Sequence, residues 1–273
     1  MTTTFAPRNI PATRRASALY CATYGSGAPL LLIHGLGVSG AVFQPLIPAL
    51  ATRYQVIVPD LRGHGQSRCL PGPDSAERLA QDIENLLDLL GIASCYALGY
   101  ASGGALAQQL ARSQPGRVRG LALVFTFARS AATIREHIQS RLRPELFRLL
   151  GASGVGRLAA HTGCLRGAPA DTHAFVCEAI AVNDGRRIAP IARSLSDFDS
   201  RSWLEQIACP ALVVAGAADT VTPPRAAREL AEGLPDAQLH VIPQAGHWLV
   251  KTHTSALLDL VVPWLDRCVE VVA

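Results

Sequence analysis

Lysine is nearly missing from this chain: it occurs once, at Lys251, among 25 basic residues. A GC-rich genome explains that bias without a functional cause. The arginines are scattered, no basic stripe with interleaved aromatics occurs, and the net charge is only +4. Nucleic acid is therefore not an expected partner. Paired cysteines are also lacking. The seven cysteines, at positions 21, 69, 95, 164, 177, 209 and 268, are odd in number, and none has the C-x-x-C spacing of a metal or redox site. Several sit inside apolar stretches, where cysteine behaves as a small hydrophobe. A reducing cytoplasm is the expected compartment. No apolar run reaches the roughly 18 residues that a membrane helix needs. The opening stretch MTTTFAPRNIPATRRAS has no apolar centre of the kind a signal peptide carries. A soluble intracellular protein is expected, with no membrane partner. Oligomeric state is not legible.

What is present is a chain of 273 residues, long enough to bury one large core. Short Leu/Ile/Val runs alternate with helical patterns, which predicts an α/β protein with a mostly parallel sheet flanked by helices. Strands are expected at residues 30–33, 54–59, 95–99, 120–125, 211–215 and 238–242, with an earlier one near 18–23. Helices are expected at 76–90, 103–113 and 255–268, the last kinked or broken at Pro263. Residues 127–203 break the alternation. Their pattern is helical, with glycine breaks at Gly151, Gly154, Gly163 and Gly167. They predict a helical cap inserted in a core of residues 18–126 and 204–273, behind an N-terminal extension of residues 1–17. Between Arg129 and Asp199 the insertion carries ten arginines and seven acids. A solvated helix surface accounts for that excess, and a preference for anionic substrates is the alternative.

The chemistry concentrates in LGYASGGALAQQLA, from Leu98 to Ala111. A sharp strand-to-helix turn presents one side chain above a sheet. Its strained tip requires small residues two positions to either side. Gly99 and Gly103 supply them around Ala101, so the frame G-x-S-x-G puts alanine where a nucleophilic serine is expected. Centring the frame on Ser102 would require a small residue where Tyr100 stands. Asp219 ends the run ALVVAGAAD, and His247 lies in IPQAGHW, both after strands. An aspartate there can orient a histidine, and the histidine can serve as general base. In LIHGLG, from Leu32 to Gly37, a strand runs into a glycine turn that can aim a backbone N–H at an oxyanion. The Leu36 and Ser102 N–H groups form the expected pair. His34 is expected to hold that loop. Tyr100 and Trp248 flank these residues and are candidates to line a substrate pocket, with packing as the other role open to them.

The chain resembles the α/β-hydrolase fold family, through HGLG at 34–37, DLRGHGQS at 60–67, GYASGG at 99–104, GAADTVTPP at 216–224 and AGHW at 245–248. The resemblance runs from about residue 18 to the C-terminal helix. It implies a triad on position 101, Asp219 and His247, a small-molecule acyl substrate, and turn-forming roles for Asp60, Arg62 and His64. The pattern is similar to cap-bearing small-ester and enol-lactone hydrolases. No metal or organic cofactor is implied. Two explanations of Ala101 stand. In one, a serine hydrolase of an ester, lactone or thioester has been inactivated by replacing its elbow serine. In the other, the alanine is native, and the protein is a ligand-binding module or a histidine-based cyclase or lyase.

Overall fold

The computed structural model describes residues 8–9, 19–68, 70, 74–161 and 170–270. Its centre is a sheet of eight strands: β1 (Arg8–Asn9), β2 (Cys21–Tyr24), β3 (Ala28–Ile33), β4 (Tyr54–Pro59), β5 (Cys95–Tyr100), β6 (Val118–Val124), β7 (Ala211–Gly216) and β8 (Ala237–Ile242). Their spatial order is β1-β2-β4-β3-β5-β6-β7-β8. β2 runs antiparallel to both β1 and β4, and every other neighbouring pair is parallel. Between and after the strands lie α1 (Ile47–Leu50), α2 (Ala76–Leu89), α3 (Ser102–Ser113), α4 (Ile134–His161), α5 (Ala170–Ala181), α6 (Gly185–Leu195), α7 (Pro224–Gly233), α8 (Leu249–Thr252) and α9 (Thr254–Glu270). This is the α/β-hydrolase architecture.

The central strands are apolar throughout because both of their faces are covered. Side chains alternate, so Tyr96, Leu98 and Tyr100 of β5 enter one core cluster while Cys95 and Ala97 enter the other. α2 places Leu79, Ile83 and Leu86 inward, and the Ser75 side chain caps it by accepting from the Arg78 N–H at 3.2 Å. The strand expected at 18–23 is β2, displaced toward its carboxyl end. Residue 18 lies outside the described residues, as do Cys69, Cys164, Gly163, Gly167 and all of the N-terminal extension except Arg8–Asn9.

Two local expectations differ from the structure. α9 is continuous through Pro263. Pro263 and Asp259, whose carbonyl loses its helical donor, both lie on the exposed side. That carbonyl can turn to water while Val261, Trp264 and Leu265 keep the inner face packed. In α4 the break falls at Gly151, with φ 64° and ψ 175°, and Gly154 sits inside regular helix. Among the described residues no helix is long and apolar enough to cross a membrane.

α4, α5 and α6 form one segment between β6 and β7. Its two ends meet in an antiparallel backbone bridge between Arg129 and Asp199: the Ser130 N–H donates to Phe198 O at 3.0 Å, and the Ser200 N–H donates to Ala128 O at 2.8 Å. Gln108 of α3 is fully buried beneath this clasp. It donates to Phe127 O at 3.0 Å and accepts from the Ser200 hydroxyl at 2.7 Å. The helices are thereby fixed over the carboxyl ends of the strands, where open α/β sheets bind ligands.

The β5–α3 turn has no room for side chains at its glycines. A Cβ on Gly103 would stand 2.1 Å from Ile33 O, and one on Gly99 would stand 2.5 Å from the Gly104 Cα. Backbone cannot give way as a side chain can. Gly103→Ala is expected to cost about 3 kcal/mol or more. The corresponding drop in melting temperature, about 5–10 °C, is read by a thermal denaturation scan.

Candidate active site

Ala101 lies between β5 and α3 with φ 52° and ψ −124°. For a residue with a Cβ this region costs of order 1–3 kcal/mol. The turn is held on both sides, by the Ala101 N–H donating to Val124 O and the Gly104 N–H to Ala101 O, each at 3.0 Å. It also abuts the loop after β3, since a Cβ on Gly35 would stand 3.0 Å from the Ala101 Cβ. The backbone is that of a nucleophile elbow, and its tip carries a methyl group.

Asp219 and His247 meet. The imidazole Nδ1 lies 2.9 Å from Asp219 Oδ2, and the Asp219 side chain is wholly shielded from solvent. The same carboxylate is held by its own loop: Oδ1 accepts from the Val221 and Thr222 N–H groups at 2.7 and 3.1 Å, and Oδ2 accepts from the Thr222 hydroxyl at 2.5 Å. Burial pushes its pKa up, but His247 and the Thr222 hydrogen bonds outweigh burial, so the net direction is down. The carboxylate stays ionised and fixes the proton of the imidazole on Nδ1, which leaves the Nε2 lone pair free to accept a proton. Nε2 has no hydrogen-bond partner among the described residues. The two loops are clipped together by the Ala218 N–H donating to Ala245 O at 3.0 Å.

Leu36 and Ser102 also meet, in a way the sequence does not indicate. The Leu36 N–H donates to the Ser102 hydroxyl at 2.7 Å, so the side chain of one expected oxyanion donor occupies the N–H of the other. Tyr100 and Trp248 are core residues, 2% and 7% exposed. Alternation along β5 turns Tyr100 beneath the elbow, where its hydroxyl donates to His247 O and its ring lies 5.6 Å from the imidazole. Trp248 meets that imidazole edge-on at 6.1 Å. Both rings hold the histidine loop.

His34, Asp60, Arg62 and His64 form the frame behind the site. Each neutral imidazole donates from Nδ1, to Gly35 O and to Arg62 O, at 2.8 Å. Each accepts at Nε2, from the Leu61 N–H at 2.9 Å and the Gly37 N–H at 3.0 Å. Arg62 makes a buried bidentate pair with Asp82 at 2.6 and 2.8 Å, and Asp60 accepts from the Gly40 and Gln66 N–H groups at 2.8 Å.

Two residues of this region went unpredicted. Asn183, between α5 and α6, donates to Gly37 O at 2.9 Å and accepts from the Gly65 N–H at 2.8 Å. It ties the helical segment to the turn that carries Leu36, across a separation that no sequence motif records. Phe125 has a positive φ of 52°, and its ring stacks on His247 at 6.0 Å. As the residue following an apolar strand, it reads only as that strand's end.

The family model described as alpha/beta hydrolase fold matches residues 28–254. The chain belongs to the α/β-hydrolase fold family. A RutD from Azorhizobium caulinodans, named for carbamate hydrolysis, is 31% identical over 84% of this chain and 88% of its own. A pimeloyl-[acyl-carrier protein] methyl ester esterase from Chromobacterium violaceum is 32% identical over 91% of this chain and 98% of its own. Among solved structures, the enol-lactonase of Burkholderia xenovorans LB400 superposes with a TM-score of 0.82 at 26% identity, covering 91% of this chain and 96% of that one. These relatives make the chain a member of a hydrolase family.

The buried imidazoles set a pH dependence. Desolvation lowers the pKa of His34 from 6.5 to about 4, and desolvation together with His34 lowers that of His64 to about 3. Between those values and 6.5 the unfolded chain binds more protons than the folded one. Stability is therefore full above about pH 6.5 and falls as pH drops toward 4 and then 3. Thermal scans from pH 7 to 4 are expected to show that decline, and it should flatten in His64→Gln. Asn183→Ala leaves Gly37 O and the Gly65 N–H without partners, and urea denaturation should register a loss of about 1–3 kcal/mol.

Proposed function

We propose that this chain is an ester-class α/β hydrolase, built for a carboxylic ester, lactone or thioester, in which alanine holds the nucleophile position. It binds its acyl substrate without forming an acyl-enzyme. One observation carries the reading: the backbone at Ala101 keeps a strained, nucleophile-presenting conformation beside an intact His247–Asp219 pair, although no nucleophile is there. The helical segment between β6 and β7 acts as the cap over the acyl pocket. We place this activity in the cytoplasm. Five free cysteines among the described residues, Cys21, Cys95, Cys177, Cys209 and Cys268, support that location.

The chemistry follows from a serine at position 101. Its Oγ attacks the carbonyl carbon while His247 Nε2 takes the hydroxyl proton. The Leu36 and Ser102 N–H groups bind the resulting oxyanion, for which the Ser102 hydroxyl rotates away. Collapse breaks the bond to the alcohol or thiol, which leaves with the proton from His247. Water then attacks the acyl-enzyme, gives a proton to His247, and the acid departs as the serine regains its hydrogen. Asp219 holds the imidazole throughout. No step calls on a cofactor.

A second reading is favoured by the contact between the Leu36 N–H and the Ser102 hydroxyl. If that contact persists with ligand bound, the site has no paired oxyanion donors. It then serves as a ligand-binding module, or as a cyclase or lyase that uses His247 as its base.

Paired assays of the chain and Ala101→Ser on p-nitrophenyl esters and simple lactones separate the two. The hydrolase reading expects turnover with an early burst in Ala101→Ser, about 10⁶-fold above the unaltered chain. Adding Asp219→Asn to that variant should lower kcat about 10⁴-fold. A folded Ala101→Ser that binds such substrates without turning them over would favour the second reading.

A further inference from the structure

The first half of α4 turns an apolar face to solvent. Six of the ten large apolar side chains exposed among the described residues lie there: Ile134, Ile138, Leu142, Leu146, Leu149 and Leu150. Their exposures run from 37% at Leu146 to 83% at Ile134. With 3.6 residues per turn, all six fall within an arc of about 160° and form a row about 24 Å long. The row ends at the break in Gly151.

Ser140, Pro144 and Phe147 lie on the opposite side of the helix and are buried. Phe147 rests against the turn after Leu36, where a Cβ on Gly37 would stand 2.6 Å from its Cζ. The helix is packed on its inner side, and among the described residues no element covers its outer side. Contiguous exposed apolar faces of this kind mark interaction sites.

The borders of the row are cationic. Arg141 and Arg148 lie along one edge and Arg143 along the other, with Arg135, Gln139 and Glu145 interspersed. Arg193 and Arg225 reach the same helix from α6 and α7, through Glu145 and Glu136. With Asp197, which pairs with Arg141 at 2.6 Å, three acids stand among six arginines.

That charge decides what covers the row. A second copy meeting it across a two-fold axis would set the same arginines against each other. The residues outside the described set contain no aspartate or glutamate, so none of them offers the complement. The row is also a ridge of aliphatic side chains, whereas protein interfaces seat aromatic anchors in pockets. A fluid surface with an apolar interior and anionic headgroups needs no matching shape. Leucine and isoleucine enter its acyl region while guanidinium groups meet the phosphates at the interface. Among the described residues no helix can span a bilayer, but lying on one requires only a face.

We propose that the outer face of α4 is a membrane-docking surface for bilayers rich in anionic lipid. Docked there, the bilayer lies about 10 Å, one helix diameter, from the turn that carries Leu36. Docking of this kind is independent of the chemistry at position 101.

Vesicle flotation of the unaltered chain is the test. Vesicles of equimolar phosphatidylcholine and phosphatidylglycerol should carry the chain at low salt, and phosphatidylcholine alone should carry about tenfold less. Ile138→Gln, Leu142→Gln and Leu149→Gln together should weaken binding about tenfold or more. The melting temperature should hold, because all three side chains are exposed. Arg135→Gln with Arg143→Gln should weaken binding about fivefold and reduce its salt dependence. No flotation of the unaltered chain, or flotation that the three glutamines leave unchanged, overturns the proposal. Equal flotation with the two vesicle types overturns docking to anionic lipid. Sedimentation equilibrium supplies the remaining arm. A dimer that the three glutamines convert to a monomer assigns the face to a second copy and overturns membrane docking.

Discussion

The turn at Ala101 can exist only because its neighbours have no side chains to place. Gly99 and Gly103 let α3 lie directly on β5 and β3, and Gly35 lets the loop after β3 approach the tip. This packing fixes more than one backbone angle. It sets where α3 begins, which N–H groups face the site, and how near the Leu36 turn comes. The other site residues enter from the ends of β7 and β8, whose parallel pairing brings the Asp219 and His247 loops side by side. A strained alanine at such a point contributes nothing to the core that a relaxed one would not. Strain of this kind accompanies a sharp turn that presents a side chain above a sheet.

Behind the turn lies a frame of buried polar groups. His34, Asp60 and His64 each accept from backbone N–H groups of loops that would otherwise have no regular partner. The imidazoles do so only while neutral, and their complete burial keeps them neutral. Asn183 extends the frame into the helical segment. Gly37 is consequently held at its N–H by the core and at its carbonyl by the insertion. Motion of the helices is thus coupled to the turn that carries Leu36 through Asn183 and through Phe147, whose ring packs against Gly37.

At the tip, two adjacent positions set what the site offers. Ala101 presents a methyl group there. Ser102 supplies an oxygen one residue later, but that oxygen faces the Leu36 N–H. In the first turn of α3 that hydroxyl is engaged by the neighbouring loop. Asp219 and His247 are held by their own loops, apart from both positions.

The sequence by itself determined seven of the sheet's eight strands, all but β1, together with the elbow and the acid–histidine pair. These depend on local signals: apolar runs, glycines at fixed offsets, and an aspartate and a histidine directly after strands. The fate of Pro263 was not among them, because whether a proline breaks a helix depends on which way its lost carbonyl faces. Tertiary structure alone decided that Tyr100 and Trp248 brace the histidine loop, that Ser102 takes the Leu36 N–H, and that Asn183 reaches Gly37 and Gly65 from more than a hundred residues away. Each of these outcomes depends on which groups lie opposite one another after the chain has closed, and a linear pattern carries no record of that.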